Sequence, residues 1–185
     1  MGAAYPTNEN TVIPESKRGK YSVIERERRF LLTELPVPRN SPHTQIWDNY
    51  LSGTNLRLRK TRAPERDEYN LKLTKKQTLA PDDFARCRLT NTYLTADEYN
   101  HLAPLFATGH EIRKNRYPFE FEGYNYSVDF FLGPLWGLIL AEIEFAADEE
   151  MEMFAPPLFA KREVTTEEAF AGGRLCGLTI NDLQI

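Results

Sequence analysis

The stretch IERERRFLL, residues 24–32, decides how the chain folds. If it is a β-strand, successive side chains point to opposite faces, so Glu25, Glu27 and Arg29 share one face. They then form a row of two carboxylates and a cation, about 7 Å apart at a rise of about 3.3 Å per residue. The same charges would also suit an exposed edge strand, or a helix, which Glu and Arg favour. The remainder of the chain decides between these alternatives.

The bulk properties indicate a soluble globular protein. The chain has 185 residues, of which 41% are hydrophobic and 27% charged, with a formal net charge of −4. This negative charge argues against a protein that coats nucleic acid. The sequence has no apolar run long enough to span a bilayer and no signal-peptide pattern, so we expect a cytoplasmic protein without a membrane partner. Cys87 and Cys176 lack metal-ligand spacing and need not pair, which fits a reducing compartment.

The pattern along the chain predicts a single domain. Residues 1–20 are polar and contain Pro, Asn and Gly, and we expect them to form a disordered tail. Residues 21–180 carry the regular patterns and are expected to form one domain. Capping boxes that begin at Thr95 and Thr165 each predict the start of a helix.

Charged rows with the period of a strand recur after the first segment. The further predicted strands, separated by turns, span residues 45–51, 56–61, 69–76, 86–94, 111–119, 125–131 and 138–145, and most of them carry a charged row backed by apolar residues. A single such row is usually a solvated face, but several of them favour a shared polar interior. The predicted inward residues on these segments are Arg57, Arg59, Lys72, Lys76, Arg86, Arg88, Lys114, Arg116, Asp129, Glu142 and Glu144.

About eight strands joined mostly by short turns predict a closed antiparallel barrel with peripheral helices, an α+β fold that is mainly β. Buried charge is costly unless it is paired or solvated, so such an interior must be wet and hold a polyvalent ligand. An excess of cations implies a polyanion such as a chain of phosphates. Clustered carboxylates imply a hard divalent cation, Mg²⁺ or Mn²⁺, whereas the three histidines lack the spacing of a zinc site.

Together, these motifs resemble those of the CYTH superfamily, the triphosphate tunnel metalloenzymes. Glu25-x-Glu27-x-Arg29-Phe30 resembles the opening E-x-E-x-K motif of that family. The resemblance continues in the family's order through residues 56–59 (LRLR), 73–76 (LTKK), 114–117 (KNRY), 128–131 (VDFF), 137–138 (GL), 141–144 (AEIE) and 163–165 (EVT). It covers the chain from about residue 21 to residue 175, and its specificity lies in the set of motifs.

The resemblance implies an eight-stranded antiparallel tunnel open to solvent. Members of the family hydrolyse inorganic triphosphate or thiamine triphosphate, cyclise ATP, or remove the terminal phosphate of RNA. By resemblance, the triphosphate would be held by Arg57, Arg59, Lys76, Arg86, Lys114 and Arg116, with Lys72 and Arg88 on the same predicted faces. Metal would be bound by Glu25, Glu27, Glu142 and Glu144 with Asp129 beside them, and Glu25, Glu27 and Arg29 would be the catalytic set.

Two positions depart from the family pattern. Arg29 stands where the family usually has lysine, and arginine supplies charge but is a poor base. Arg88 and Thr90 stand where glutamates are usual, which puts the number of metal ligands in doubt.

Our main hypothesis is metal-dependent hydrolysis of a triphosphate by water, most simply inorganic tripolyphosphate. A class IV adenylate cyclase is the second enzymatic reading, although no residue set must bind adenine. A thiamine triphosphatase would need an aromatic contact, for example from Trp47. A non-catalytic binder of nucleotides or polyphosphate is the rival from another class. The sequence leaves both a monomer and a homodimer open.

Overall fold

A computed structural model describes residues 21–107 and 110–185, and the predicted tail at residues 1–20 lies outside that part of the chain. Within the described residues, nine strands form one antiparallel sheet. They are β1 (Val23–Leu31), β2 (Thr44–Tyr50), β3 (Leu56–Arg62), β4 (Asn70–Thr78), β5 (Arg86–Tyr93), β6 (Ile112–Phe121), β7 (Tyr124–Leu132), β8 (Ile139–Glu144) and β9 (Arg162–Glu163).

The sheet closes on itself through β1. Its strand order is β5-β4-β3-β2-β6-β7-β8-β1-β9, and an additional pairing joins β5 to β1. On one edge β1 pairs with β8 through residues 27–31, and on the other edge it pairs with β5 through residues 23–26. The short β9 extends this second edge at Phe30 and Leu31. Eight strands therefore form a closed barrel, which confirms the fold predicted from the charged rows.

Antiparallel pairing determines which side chains share the barrel interior, because directly opposed residues point to the same face. Glu27 opposes Glu144 across β1 and β8. Asp48 opposes Arg59 across β2 and β3, and Arg59 in turn opposes Lys72 on β4. The interior wall is thus charged, and the first strand is neither an edge strand nor a helix.

Two hydrophobic cores flank this charged interior. One packs on the outer wall, where Phe30, Val128 and Phe130 meet Met151 and Phe154 from the segment that follows β8. The other core lies at one end of the barrel, where strand ends meet the C-terminal segment, residues 164–183. Its buried members are Leu31, Ile112, Phe131, Leu135, Leu138, Leu140, Val164, Phe170, Leu175 and Leu183. The C-terminal segment therefore packs against that end of the barrel.

Two α-helices of the described chain lie outside the barrel: α1 (Ala96–Leu102) and α2 (Asp148–Met153). Helix α1 begins at the predicted capping box, in which the Thr95 hydroxyl accepts the Glu98 N–H and the Glu98 carboxylate accepts the Thr95 N–H. The capping box predicted at Thr165 is wrong, because the Thr165 hydroxyl accepts the backbone N–H of Arg29 instead. No helix of the described residues is long and apolar enough to cross a membrane.

Candidate functional site

The barrel interior brings together most of the residues predicted from the sequence. The strands β1, β3, β4, β6 and β8 each contribute two or three charged side chains to it, and β2 and β7 add one carboxylate each. We call this set the interior network: Glu25, Glu27, Arg29, Asp48, Arg57, Arg59, Lys72, Lys76, Lys114, Arg116, Asp129, Glu142 and Glu144.

The acidic part of the interior network is built on β1 and β8. Lys76 from β4 reaches across to it, and its Nζ lies 2.6 Å from Glu25 Oε2 and 3.0 Å from Glu27 Oε1. Burial acts to raise the pKa of Glu27, but Lys76 and Arg29 outweigh it and hold that pKa below its ordinary value. Lys76 therefore occupies a position between two ionised carboxylates that favours a cation.

Arg29 is committed to holding the site together. Its Nη2 donates to Glu27 Oε1 at 2.9 Å and to the Phe84 carbonyl at 3.0 Å, and its Nη1 donates to the Phe170 carbonyl at 3.1 Å. The side chain is only 4% exposed. A buried guanidinium with these partners cannot serve as a base, so its contribution is to orient Glu27 and to tie β1 to the C-terminal segment.

A second cluster forms on β6, β7 and β8. Asp129 is fully buried and accepts two hydrogen bonds from Arg116, at 2.7 and 2.6 Å, and one from Lys114 at 2.5 Å. Arg116 also donates to Glu142 at 2.5 Å. Because both oxygens of Asp129 face cations, this carboxylate holds the cation cluster together, and its predicted part in metal binding stays a prediction.

A third cluster centres on Asp48, which the sequence analysis did not select. Asp48 is 2% exposed and accepts two hydrogen bonds from Arg59. Arg57 approaches the same carboxylate at 3.8 Å and reaches the Thr74 hydroxyl at 3.4 Å. Asp48 is the single charged residue of the segment at 45–51, and one carboxylate without a neighbouring charge does not form a row.

Part of the interior network is open to solvent. Although these side chains point inward, Lys76 is 33% exposed, Arg116 24% and Glu142 19%. Asp48, Asp129 and Arg29 are nearly inaccessible in comparison. The interior thus has a buried layer of ion pairs that supports a more accessible layer.

Glu144 marks an excess of negative charge in the accessible layer. Partial burial raises its pKa, and the nearby carboxylates of Glu25, Glu27 and Glu142 raise it further. Glu144 forms no ion pair with the residues that the structure describes. An additional cation at this place would relieve the repulsion between the carboxylates.

Two predicted substrate residues lie elsewhere. Arg86 and Arg88 point to the outside of the barrel, because Cys87 between them opposes Glu25 and faces inward. On the outer surface Arg86 donates to Asp148 at 2.6 Å and to Glu152 at 3.1 Å. The expectation that these two arginines line the interior is therefore wrong, and the inward wall of β5 is uncharged.

The interior carboxylates of β1 and β8 are suitable ligands for a hard divalent cation. Glu25, Glu27 and Glu144 offer carboxylate oxygens, the ligands that Mg²⁺ and Mn²⁺ prefer. As the described side chains stand, no three of them are close enough to hold a metal ion. Glu25, Glu27 and Glu144 would hold such a cation, since the Lys76 ammonium near Glu25 and Glu27 shows that positive charge is favoured beside these carboxylates.

The fold and the site define a closed antiparallel barrel whose interior is lined with paired acids and bases. No protein-family model matches the chain. A 64-residue stretch, 35% of the chain, is 42% identical to an inorganic triphosphatase of Acetivibrio thermocellus, and the match spans 40% of that relative's length.

The fold is also that of solved structures. The crystal structure of the inorganic triphosphatase NE1496 matches over 82% of this chain and 93% of its own, with 24% identity and a TM-score of 0.55. A second structure of NE1496, described as a hypothetical protein, matches over 82% of this chain and 97% of its own, with the same identity and TM-score. At the level of the fold, the sequence match and these structures agree with the resemblance to the CYTH superfamily.

Proposed function

We propose that the protein is a triphosphatase, which hydrolyses a phosphoanhydride bond of a triphosphate by attack of water inside the barrel. The observation that carries this proposal is the accessible layer, in which acids on β1 and β8 face cations on β3 and β4. Phosphoryl transfer depends mainly on positioning and charge neutralisation, which such a layer supplies. The partial match to an inorganic triphosphatase makes inorganic tripolyphosphate the first substrate to test.

The charge balance supports a role for divalent metal. The interior network contains seven cations and six carboxylates, a formal charge of only +1. One surplus positive charge cannot neutralise a polyanion such as tripolyphosphate, so the remaining charge must come from ions that enter with it. Glu25, Glu27 and Glu144 would hold Mg²⁺ or Mn²⁺, which when bound screens phosphate oxygens and lowers the pKa of a water ligand.

The contacts of the interior residues suggest a separate role for each of them in this reaction. Lys72 and Arg57 would contact phosphate oxygens, because their donors are not committed to carboxylates at hydrogen-bonding distance. Burial and the neighbouring Arg59 and Arg57 lower the pKa of Lys72, so the approach of a phosphate would favour its charged form. Arg29 would hold Glu27 in place without exchanging a proton.

The test is phosphate release from tripolyphosphate by the purified protein, with Mg²⁺ and Mn²⁺ in turn. Glu144→Gln should reduce the rate by about 100-fold or more, as expected for the loss of a carboxylate that would hold the metal and so help to activate the attacking water. Mn²⁺ titration of the same variant by calorimetry should show weaker binding. The matched control is Glu152→Gln on the outer surface, which should keep the wild-type rate. Equal rates for wild type and Glu144→Gln would refute the assignment.

A cyclase and a non-catalytic binder remain the alternatives, and the same assay separates them from the proposal. Formation of cyclic AMP from ATP would favour a cyclase. Binding of tripolyphosphate by calorimetry, without turnover under either metal, would favour a binder.

A further inference from the structure

We propose that Asp48 is a positioning residue that gives the two arginines of β3 different tasks: Arg59 is held in the wall and Arg57 is left to bind phosphate. This inference rests on the proposed function, since it names which cation of that site meets the triphosphate. The sequence pattern treats the two arginines as equivalent, because both lie on the inward face of β3.

The contacts of Arg59 occupy one whole edge of its guanidinium. Its Nε donates to Asp48 Oδ1 at 2.5 Å and its Nη2 donates to Asp48 Oδ2 at 2.6 Å. This is the bidentate geometry with which arginine also binds a phosphate, and the same edge cannot serve two partners. The pair is nearly inaccessible, with side-chain exposures of 10% for Arg59 and 2% for Asp48. The ion pair is therefore formally neutral and fixed.

The contacts of Arg57 differ from those of Arg59. Its Nε lies 3.8 Å from Asp48 Oδ1, beyond hydrogen-bonding distance, and within the described residues this buried nitrogen has no hydrogen-bond partner. Its other recorded contact is the long hydrogen bond to the Thr74 hydroxyl, at 3.4 Å. A buried guanidinium nitrogen without a partner is costly, and an arriving phosphate would supply the missing acceptor.

The electrostatics lead to the same division. Burial acts to raise the pKa of Asp48, but Arg59 and then Arg57 outweigh it and hold that pKa well below its ordinary value. Asp48 thus stays ionised and cancels the charge of Arg59. Lys72, directly opposite Arg59 on β4, forms no ion pair with the described residues, so Arg57 and Lys72 are the neighbouring cations that no carboxylate holds at hydrogen-bonding distance.

Calorimetric titration with sodium tripolyphosphate in EDTA measures affinity without turnover. Arg57→Gln should weaken binding by about tenfold or more, as expected for the loss of a charged hydrogen-bond donor. Asp48→Asn should bind about threefold or more tighter, because it releases Arg59 and adds a positive charge near the site. The double variant Asp48→Asn/Arg59→Gln removes both charges and should return to within about threefold of wild type. Lys60→Gln, on the outer face of the same strand, is the matched control and should bind as wild type does.

A purely structural role for Asp48 would give equal or weaker binding in Asp48→Asn, and that result would overturn the inference. A double variant as weak as Arg57→Gln would also overturn it. Wild-type protein that binds no tripolyphosphate, either in EDTA or with metal, would instead remove the proposed function on which the inference rests.

A measurement on the unmodified protein covers the case in which a variant does not fold. Nitrogen-15 NMR of arginine side chains should show the Arg57 Nε resonance shifting as tripolyphosphate is added, whereas Arg59 Nε stays at its place because its partner does not change. A shift of Arg59 Nε equal to that of Arg57 would contradict the division of tasks.

Discussion

At the scale of single residues, the interior carboxylates differ in kind although they share one face of the barrel. Glu142 is paired with Arg116, and although burial opposes it, the nearby cations hold the pKa of Glu142 well below its ordinary value. Glu144, two residues along the same strand, has an elevated pKa because burial and neighbouring carboxylates disfavour its charged form. Ionised Glu142 therefore stabilises the folded barrel, whereas ionised Glu144 lowers the free energy of unfolding.

This difference predicts opposite effects of two matched substitutions on the free energy of unfolding in metal-free buffer. At pH 7, Glu142→Gln should destabilise the protein by about 1–3 kcal/mol, since it removes one of the two carboxylates that pair with the buried guanidinium of Arg116. Glu144→Gln should stabilise it, because a group whose folded-state pKa is raised costs stability while it is ionised. Urea denaturation of both variants at several pH values measures the effects.

The pH dependence of the Glu144→Gln effect follows from the sign of the shift. Since the folded protein binds the Glu144 proton more tightly than the unfolded chain, wild type gains stability as the pH falls through the folded-state pKa towards the ordinary value of 4.5. The advantage of Glu144→Gln should therefore shrink over that interval. A Glu144→Gln protein that is less stable than wild type at pH 7 would contradict the excess of negative charge.

The sequence reveals single residues unevenly. The charged rows on β1 and β8 identify Glu25, Glu27 and Glu144, because each row repeats with the period of a strand. The same reasoning does not identify Asp48, because its partners lie on β3 and its own strand carries no second charge. A contact between strands depends on register, which the local pattern does not contain.

At the scale of elements, β5 shows why the direction of a face cannot be determined from alternation alone. A period of two separates side chains into two sets but does not say which set is buried, and a shift of one residue exchanges them. Arg86 and Arg88 belong to the outer set, where α2, about 60 residues further on, supplies Asp148 and Glu152 as partners of Arg86. That helix carries the compensating charges, and nothing within β5 indicates it.

The C-terminal segment is a second element whose role depends on close packing. Tyr50, at the end of β2, lies against Gly172 and Gly173 of this segment. A Cβ atom on Gly172 would come within 2.8 Å of the Tyr50 hydroxyl, whereas one on Gly173 would meet the ring at 3.4 Å, an ordinary contact. Neither glycine has a positive φ, so the comparison concerns space alone.

We therefore expect Gly172→Ala to destabilise the protein by about 1–3 kcal/mol, the usual range for overpacking a filled site. Gly173→Ala is the matched control and should be neutral or slightly stabilising, by up to about 1 kcal/mol, because alanine restricts the unfolded chain more than glycine does. Thermal unfolding of both variants and wild type measures the difference. Equal midpoints for the two variants would show that Tyr50 moves aside without cost.

At the scale of the whole molecule, the barrel could be predicted because its charged rows, short turns and strand count all indicate the same closed architecture. The charge balance of the barrel interior could not be predicted from the sequence. The outward turn of Arg86 and Arg88 removes two cations from the predicted interior, and the inclusion of Asp48 adds a carboxylate. The interior is consequently near neutrality, and its ion pairs become part of the stability of the fold.

This balance predicts how the whole barrel responds to acid. The pKa values of Glu27, Asp48 and Glu142 are all lower in the folded protein than their ordinary values, in each case because buried cations outweigh the effect of burial. As the pH falls below about 4.5, the unfolded chain therefore takes up protons that the folded barrel does not, and acid favours unfolding. The free energy of unfolding should fall steeply below that pH, with a slope of more than one proton.

Asp48→Asn tests whether the interior network causes this acid sensitivity. The variant should be less stable than wild type at pH 7, and its acid slope should be smaller by about one proton, because one of the depressed carboxyls is gone. Urea denaturation between pH 7 and pH 3 gives both quantities, with Glu152→Gln on the outer surface as a control that should keep the wild-type slope. If Asp48→Asn kept the full slope, Asp48 would not contribute to the acid response, and its ion pair with Arg59 would not be one of the contacts through which acid unfolds the barrel.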